Sequence, residues 1–200
     1  MHEGRPIGKA AESAISAALC DRSGEAMAKT RAELFSFLDA LGIAHRTVEH
    51  PAIFTVEAGR DYKASMPGGH SKNLFLKDKK DRLFLLVAHC DTAVDIVGYG
   101  RAAGAKGRLS FGKPELMSAT LGVIPGAVTP FALINETARA LQSVAVDAAL
   151  MGWDTVWFHP LENTASTAIA PADLLKFIEA CGFKPDIVDL AAPTLSPAGM

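Results

Sequence analysis

The 200-residue sequence has only three cysteines, Cys20, Cys90 and Cys181, widely separated and odd in number. That excludes a disulfide framework and a cysteine-rich zinc spacing, and it fits a reducing cytoplasm. No apolar run approaches the length needed to span a bilayer. Residues 1–29 are rich in Ala and Ser but lack the continuous apolar stretch of a secretory signal. These absences predict a cytoplasmic protein with no membrane partner. There is no Gly-x-Gly-x-x-Gly and no P-loop, so nothing calls for a nucleotide cofactor. Neither Ser110 nor Ser166 sits in a nucleophile elbow, and no Ser-His-Asp arrangement is apparent. A cationic excess is missing as well. The net charge of −2 argues against a generic nucleic-acid binder.

That charge is unevenly spread. Residues 72–113 hold nine Lys or Arg against four Asp, whereas residues 114–200 hold three against nine acidic groups. One basic segment on an otherwise repulsive surface suits a phosphate-facing patch with a defined docking mode, although ordinary surface lysines give the same count. With 49% hydrophobic and 21% charged residues, the chain is ordinary for one globular domain with a sizeable core.

The pattern is organised around a hairpin. Residues 72–76 and 83–88 are apolar runs on either side of a charged turn, 77–82. Ahead of it, Leu34, Phe35, Leu38 and Leu41 recur at helical spacing and predict a helix over 29–41, stopped by Gly42. Residues 43–48 read as a short strand, and Thr55 as the N-cap of a helix over 56–62. Residues 94–99 fit a strand or a helical turn. A strand at 108–111 and a helix from Lys113-Pro114 to Leu121 follow, with Gly122 as its stop. The loop from Val123 leads to a strand at Phe131. Strands at 141–147 and 155–159, a loop and strand at 161–168, a helix at 171–181 and a strand at 187–190 complete the order. Such interleaving predicts a single α/β (α+β) domain with a mixed central sheet and flanking helices. Residues 1–27 read as an extension without assigned function, and 191–200 as a disordered tail.

Four groups carry chemistry. Lys72 and Asn73 follow a Gly-Gly pair at a strand start, where a lysine stem lies on the sheet. A solvated edge charge is the plain alternative for Lys72. Gly126-x-x-x-Pro130 is a loop whose backbone N–H groups suit a carbonyl oxygen or oxyanion; on its own it is a tight turn. His159 ends a strand and opens a polar loop, although a lone histidine is more often structural. His89-Cys90-Asp91 would ligate a metal only with His159 or His70, and neighbours on a strand point to opposite faces. Cys90, with no basic neighbour in sequence, reads as a small buried hydrophobe.

In chain order the motifs are Gly69-His-Ser-Lys-Asn-Leu-Phe-Leu-Lys-Asp78, Leu109-Ser-Phe111, Gly126-x-x-x-Pro130-Phe, Leu133-Ile-Asn135 and Phe158-His-Pro-Leu-Glu-Asn-Thr-Ala165. This series resembles the YbaK/ProX-type prolyl-tRNA editing family, and within it the free-standing alanyl-tRNA(Pro) deacylases, over about residues 31–190. The resemblance implies an editing domain over 28–190 that hydrolyses the ester joining a wrong amino acid to the tRNA 3′ end. It implies catalytic roles for Lys72, His159 and Asn73. Substrate contacts are expected at Gly126, Thr129, Pro130, Phe131, Phe54 and Asn163, with Phe54, Phe131 and Leu85 as an apolar wall that admits a methyl side chain. The expected partner is mischarged tRNA(Pro), with prolyl-tRNA synthetase as a further one, for a monomer or weak dimer that uses no cofactor and no metal. Lys77, Lys79, Lys80 and Arg82 of the hairpin turn are expected on acceptor-stem phosphates. The alternatives are a deacylase for Cys- or Ser-tRNA, a non-catalytic aminoacyl-tRNA-binding module on the same fold, and a metal-dependent hydrolase built on His159, His89 and Cys90.

Overall fold

The structure is a computed structural model, and it describes residues 27–52 and 65–191. The expected helix at 56–62, Phe54, Cys20 and the tail beyond 191 lie outside the described residues. The first helix, α1 (Arg31–Ala40), starts where its sequence allows reciprocal capping. Thr30 accepts from the Glu33 N–H, and the Glu33 carboxylate accepts from the Thr30 N–H. That N–H and the Lys29 ammonium hold the Glu33 pKa at about 2. Leu34 and Leu38, one turn apart, are the buried face of α1.

Among the described residues, eight strands form the sheet: β1 (Arg46–Glu49), β2 (Gly69–Lys77), β3 (Leu83–His89), β4 (Ser110–Phe111), β5 (Leu141–Asp147), β6 (Val156–Phe158), β7 (Ala165–Ile169) and β8 (Pro185–Val188). Their order is β1-β7-β6-β2-β3-β5-β8, with β4 pairing on β2. The β2/β3 hairpin is antiparallel, whereas β6, β5 and β8 join β2, β3 and β5 as parallel neighbours, so the sheet is mixed, as expected. β3 lies between β2 and β5, and its Leu-Phe-Leu-Leu-Val-Ala run is buried throughout, as a strand covered on both faces requires. Alternation sends Leu85 and Val87 into the larger core, with α1, α3 (Pro114–Leu121) and α4 (Pro171–Ala180). It sends Phe84, Leu86 and Ala88 into a smaller one, covered by Tyr99 of α2 (Ile96–Ala102) and by Leu109.

Local signals settle most boundaries. Asp95 caps α2 through the Gly98 N–H, which resolves the strand-or-helix ambiguity at 94–99 in favour of a helix. The expected strand at Phe131 is instead a 3-10 helix, Pro130–Ile134, begun by Pro130 and capped by the Thr129 hydroxyl. A run of four apolar residues, Phe131 to Ile134, fits a strand by composition. Here Phe131, Ala132 and Leu133 are all buried in the larger core, so the segment turns rather than extends. The last strand is Pro185–Val188 rather than 187–190 because it aligns with Val144 to Asp147 of β5.

The hairpin turn is built on a buried acid. Asp78 accepts from the N–H groups of Lys80, Arg82 and Lys106 and from the Arg82 guanidinium. Burial pushes its pKa up, but these donors win and hold it below the usual 3.8. Such a group contributes stability above its unfolded value and loses it as pH falls through the folded one. Asp78→Asn is expected to speed amide exchange at Lys80, Arg82 and Lys106. Wild type should lose the same protection only well below pH 3.8. Unchanged exchange in the variant would mean that Asp78 does not hold the turn.

Candidate active site

The site arises from a gap in the sheet. One edge of β2 pairs with β3 along its length. The other pairs with β6 only at Gly69 and His70, and with β4 only at Leu76 and Lys77. Between these contacts, residues 71–75 have no strand neighbour on that side among the described residues. A cleft of about 180 Å³ opens there, lined by Ser71, Lys72, Asn73, Gly126, Val128 and His159. Four of the expected site residues, Lys72, Asn73, Gly126 and His159, thus meet at one place.

Alternation along β2 separates the two neighbours. Asn73 shares the side of Phe75 and the larger core, and its Nδ2 donates to the Val128 carbonyl at 2.9 Å. Lys72 shares the side of Leu74 and Leu76. Its ammonium donates to the carbonyls of Cys90 at 3.0 Å and Thr92 at 2.5 Å, in the loop after β3. This lysine is therefore neither a solvated edge charge nor a group aimed freely into the cleft. An ammonium has three donors, so one N–H and the full charge remain. The receiving loop is itself anchored. Asp147, at the end of β5, accepts from the Thr92 hydroxyl at 2.6 Å and from the N–H groups of His89 and Ala149, both at 3.1 Å.

His159 follows β6. Its Nδ1 donates to the Ala165 carbonyl at 2.8 Å, which leaves the Nε2 lone pair for other partners. Burial lowers its pKa below 6.5; the Ala165 bond opposes this, and nearby His50 adds to it. The folded chain takes up this proton less readily than the unfolded chain, so its contribution makes stability rise with pH up to about 6.5. If neutral His159 is the working form, turnover should hold its plateau to below pH 6.5 and fall only on the acid side of that value. A pH–rate profile whose acid limb lies above 6.5 and disappears in His159→Gln would contradict this.

Two further groups escaped the sequence reading. The His50 and His159 rings lie 5.9 Å apart, and His50 Nε2 meets the Ser166 hydroxyl at 2.9 Å while its Nδ1 donates to the Pro51 carbonyl. The alternating Ser71 position on β2 was the one available clue to Ser71, whose hydroxyl donates to the Trp157 carbonyl. Ser166 is thus a buried partner of His50 rather than an isolated serine.

Other expected contacts move into the core. Thr129, Pro130, Phe131 and Leu85 are fully or nearly fully buried. Phe131 packs edge-on against Phe158 and Phe177. Val128 is the apolar residue that lines the cleft. Asn163 is buried, and its Nδ2 has no hydrogen-bond partner among the described residues; the buried Oδ1 of Asn73 has none among them either. A Cβ added to Gly126, whose φ is +90°, would come within 3.4 Å of Asn163 Nδ2. Glycine there keeps both the turn and the approach to that amide open.

His89, Cys90 and Asp91 do converge, contrary to the opposite-faces expectation. β3 ends at His89, and the turn brings one ligand atom from each within 4.8 Å. His159 is not part of that group. Cys90 is half-buried rather than buried, and its own carbonyl receives the Lys72 ammonium. Cys181, by contrast, is buried, and its thiol is pushed up to about 12. It borders a larger hollow of about 660 Å³ beside α1 that contains none of the expected site residues. Among the described residues, no helix is long and apolar enough to cross a membrane.

A mixed sheet split by a small polar cleft with these motifs in order defines an editing domain. Residues 50–177 match the aminoacyl-tRNA editing domain family, and the chain belongs to it. Among relatives, it is 36% identical over 180 residues to prolyl-tRNA synthetase associated domain-containing protein 1 of Danio rerio, covering 88% of this chain and 97% of that one. It is 32% identical over 146 residues to the prolyl-tRNA editing protein ProX of Acetoanaerobium sticklandii, covering 72% and 88%. The fold matches a crystal structure described provisionally as a trans-editing enzyme for prolyl tRNA synthetase. That match has a TM-score of 0.62 and 22% identity, over 81% of this chain and 97% of that one.

Proposed function

We propose that this protein is a trans-editing deacylase, acting through residues 28–190, that hydrolyses the 3′-terminal ester of Ala-tRNA(Pro). The observation that carries the reading is a pair of buried polar atoms without partners among the described residues: Asn73 Oδ1, on a residue that lines the cleft of about 180 Å³, and Asn163 Nδ2, next to the Gly126 that lines it. A buried acceptor and donor left open are costly unless a ligand completes them. An aminoacyl ester offers the complement: an α-ammonium for Asn73 Oδ1 and an acyl carbonyl for Asn163 Nδ2. The name of the ProX relative supports prolyl-tRNA editing, and the small cleft favours a methyl side chain over the proline ring.

An activated ester needs placement of a water and stabilisation of the oxyanion, rather than a strong nucleophile. His159 Nε2 orients the water, whose oxygen adds to the acyl carbon. Asn163 Nδ2 and the open backbone at Gly126 stabilise the carbonyl oxygen as it gains charge. The bond from the acyl carbon to the ribose oxygen then breaks. The proton lost by the water passes to that leaving oxygen, with the neighbouring ribose hydroxyl as relay. Lys72 supplies positive charge beside the ribose.

The test is hydrolysis of Ala-, Pro-, Ser- and Cys-tRNA(Pro), with chelator present throughout. Release of alanine and retention of proline is the expected result. Faster release of serine or cysteine would reassign the substrate, turnover lost only with chelator would indicate metal-dependent chemistry, and no turnover of any would leave a binding module.

A further inference from the structure

In the fold, the hairpin turn at 77–82 is joined to residues 104–106 and 110–111, later parts of the basic segment. The Lys79 N–H donates to the Lys106 carbonyl, and Asp78 joins the 77–82 turn to residue 106 from beneath. The Arg82 guanidinium reaches the Gly104 carbonyl. Lys77 and Arg82 are engaged by Asp81 and Asp78. Lys79, Lys80, Lys106, Arg108 and Lys113 are exposed and make no ion pair among the described residues. Beside them stands Phe111 of β4, 64% exposed. β4 pairs with β2 on the same open edge that holds the cleft. Asn73 and Lys77 are four positions apart on β2, which is about 13 Å at strand rise. That is close to the rise of about four stacked nucleotides.

We propose that this edge is a groove for a single RNA strand. Its 3′ end enters the cleft, a base stacks on Phe111, and the phosphates beyond meet Lys79, Lys80, Lys106, Arg108 and Lys113. The inference rests on the deacylase reading for the identity of the strand, and it extends the RNA-facing surface from the hairpin turn to residues 106–113. Cations free of carboxylates around one exposed aromatic ring are what a single-strand platform requires. The acidic balance of residues 114–200 disfavours other docking modes.

The experiment measures affinity for uncharged tRNA(Pro) by fluorescence anisotropy between 50 and 200 mM salt, a range over which phosphate contacts show roughly their full effect. It also measures kcat and KM on the aminoacylated form. The variants are Lys106→Glu with Arg108→Glu, Phe111→Ala, and Lys176→Glu as a single charge-reversal control on α4. The double variant is expected to bind at least ~10-fold more weakly and to raise KM. Its log–log salt slope should fall by about 0.7, the single-strand value, for each phosphate it no longer neutralises. Phe111→Ala should bind about tenfold more weakly with an unchanged salt slope. Lys176→Glu should match wild type. Wild-type affinity and salt slope in the double variant would overturn the groove. If wild type turns over no aminoacyl-tRNA yet the double variant loses tRNA affinity, the deacylase reading falls and the groove stands. If turnover is intact and KM is unmoved in the double variant, the groove falls and the deacylase reading stands.

Discussion

Lys72→Ala is expected to lower turnover of the aminoacyl ester by about 100-fold or more, the scale of losing one electrostatic contributor to an oxyanion site. Among the described residues, Lys72 is the one lysine or arginine that lines the cleft, and it is held by two carbonyls rather than left to solvent. Fixed charge stabilises developing negative charge without reorganising during the reaction. Alanine removes that charge and also leaves the Cys90 and Thr92 carbonyls without their donor. Lys72→Arg separates the two effects, because it keeps the charge while its planar fork does not reproduce an ammonium's geometry. The arginine variant should recover stability more fully than kcat. The measurements are kcat, KM and a denaturation midpoint for all three proteins. Turnover within a few-fold of wild type in Lys72→Ala would remove Lys72 from the mechanism.

Asp147→Ala is expected to destabilise the fold by about 3 kcal/mol, from the loss of three hydrogen bonds worth about 1 kcal/mol each. The residue is 1% exposed, and its carboxylate gathers the His89 N–H, the Thr92 hydroxyl and the Ala149 N–H at one point. Those bonds tie the end of β5 to the loop whose carbonyls grip Lys72. Activity should therefore fall as well as stability, and Thr92→Val should give a smaller loss, about 1 kcal/mol. If Asp147 acts through that loop, it couples to Lys72. A double-mutant cycle on kcat for Asp147→Ala and Lys72→Ala should then be non-additive by more than about 0.5 kcal/mol. Additive effects would reduce Asp147 to a structural acid.

The recognisable parts of this protein are those decided by near neighbours in the chain. Alternation, capping and stop residues gave β5 at Leu141–Asp147 and α3 at Pro114–Leu121, both at their observed limits, and the hairpin to within a few residues. The ordered motifs also sufficed for the family. The site was legible only as a set of residue types: Lys72, Asn73, Gly126 and His159 do line one cleft. Distant contacts decided the rest. His50 and His159 come within 5.9 Å because β1 and β6 flank β7, a contact between residues too far apart for any local period to signal. Phe131 and Leu85 carry no mark distinguishing a core ring from a pocket wall; burial among Phe158, Phe177 and the larger core assigned them. Lys72 and Asn73 are adjacent in sequence, yet strand alternation sends them to opposite sides of β2, and a carbonyl pair past the end of β3 claims the ammonium. The sequence alone determined most of the described elements and their order, because those follow from contacts a few residues apart; the segment at Phe131, which turns rather than extends, is an exception. The tertiary structure alone decided where the sheet opens and which nearby polar atoms are left without partners among the described residues, because both depend on segments that meet only after the chain has folded.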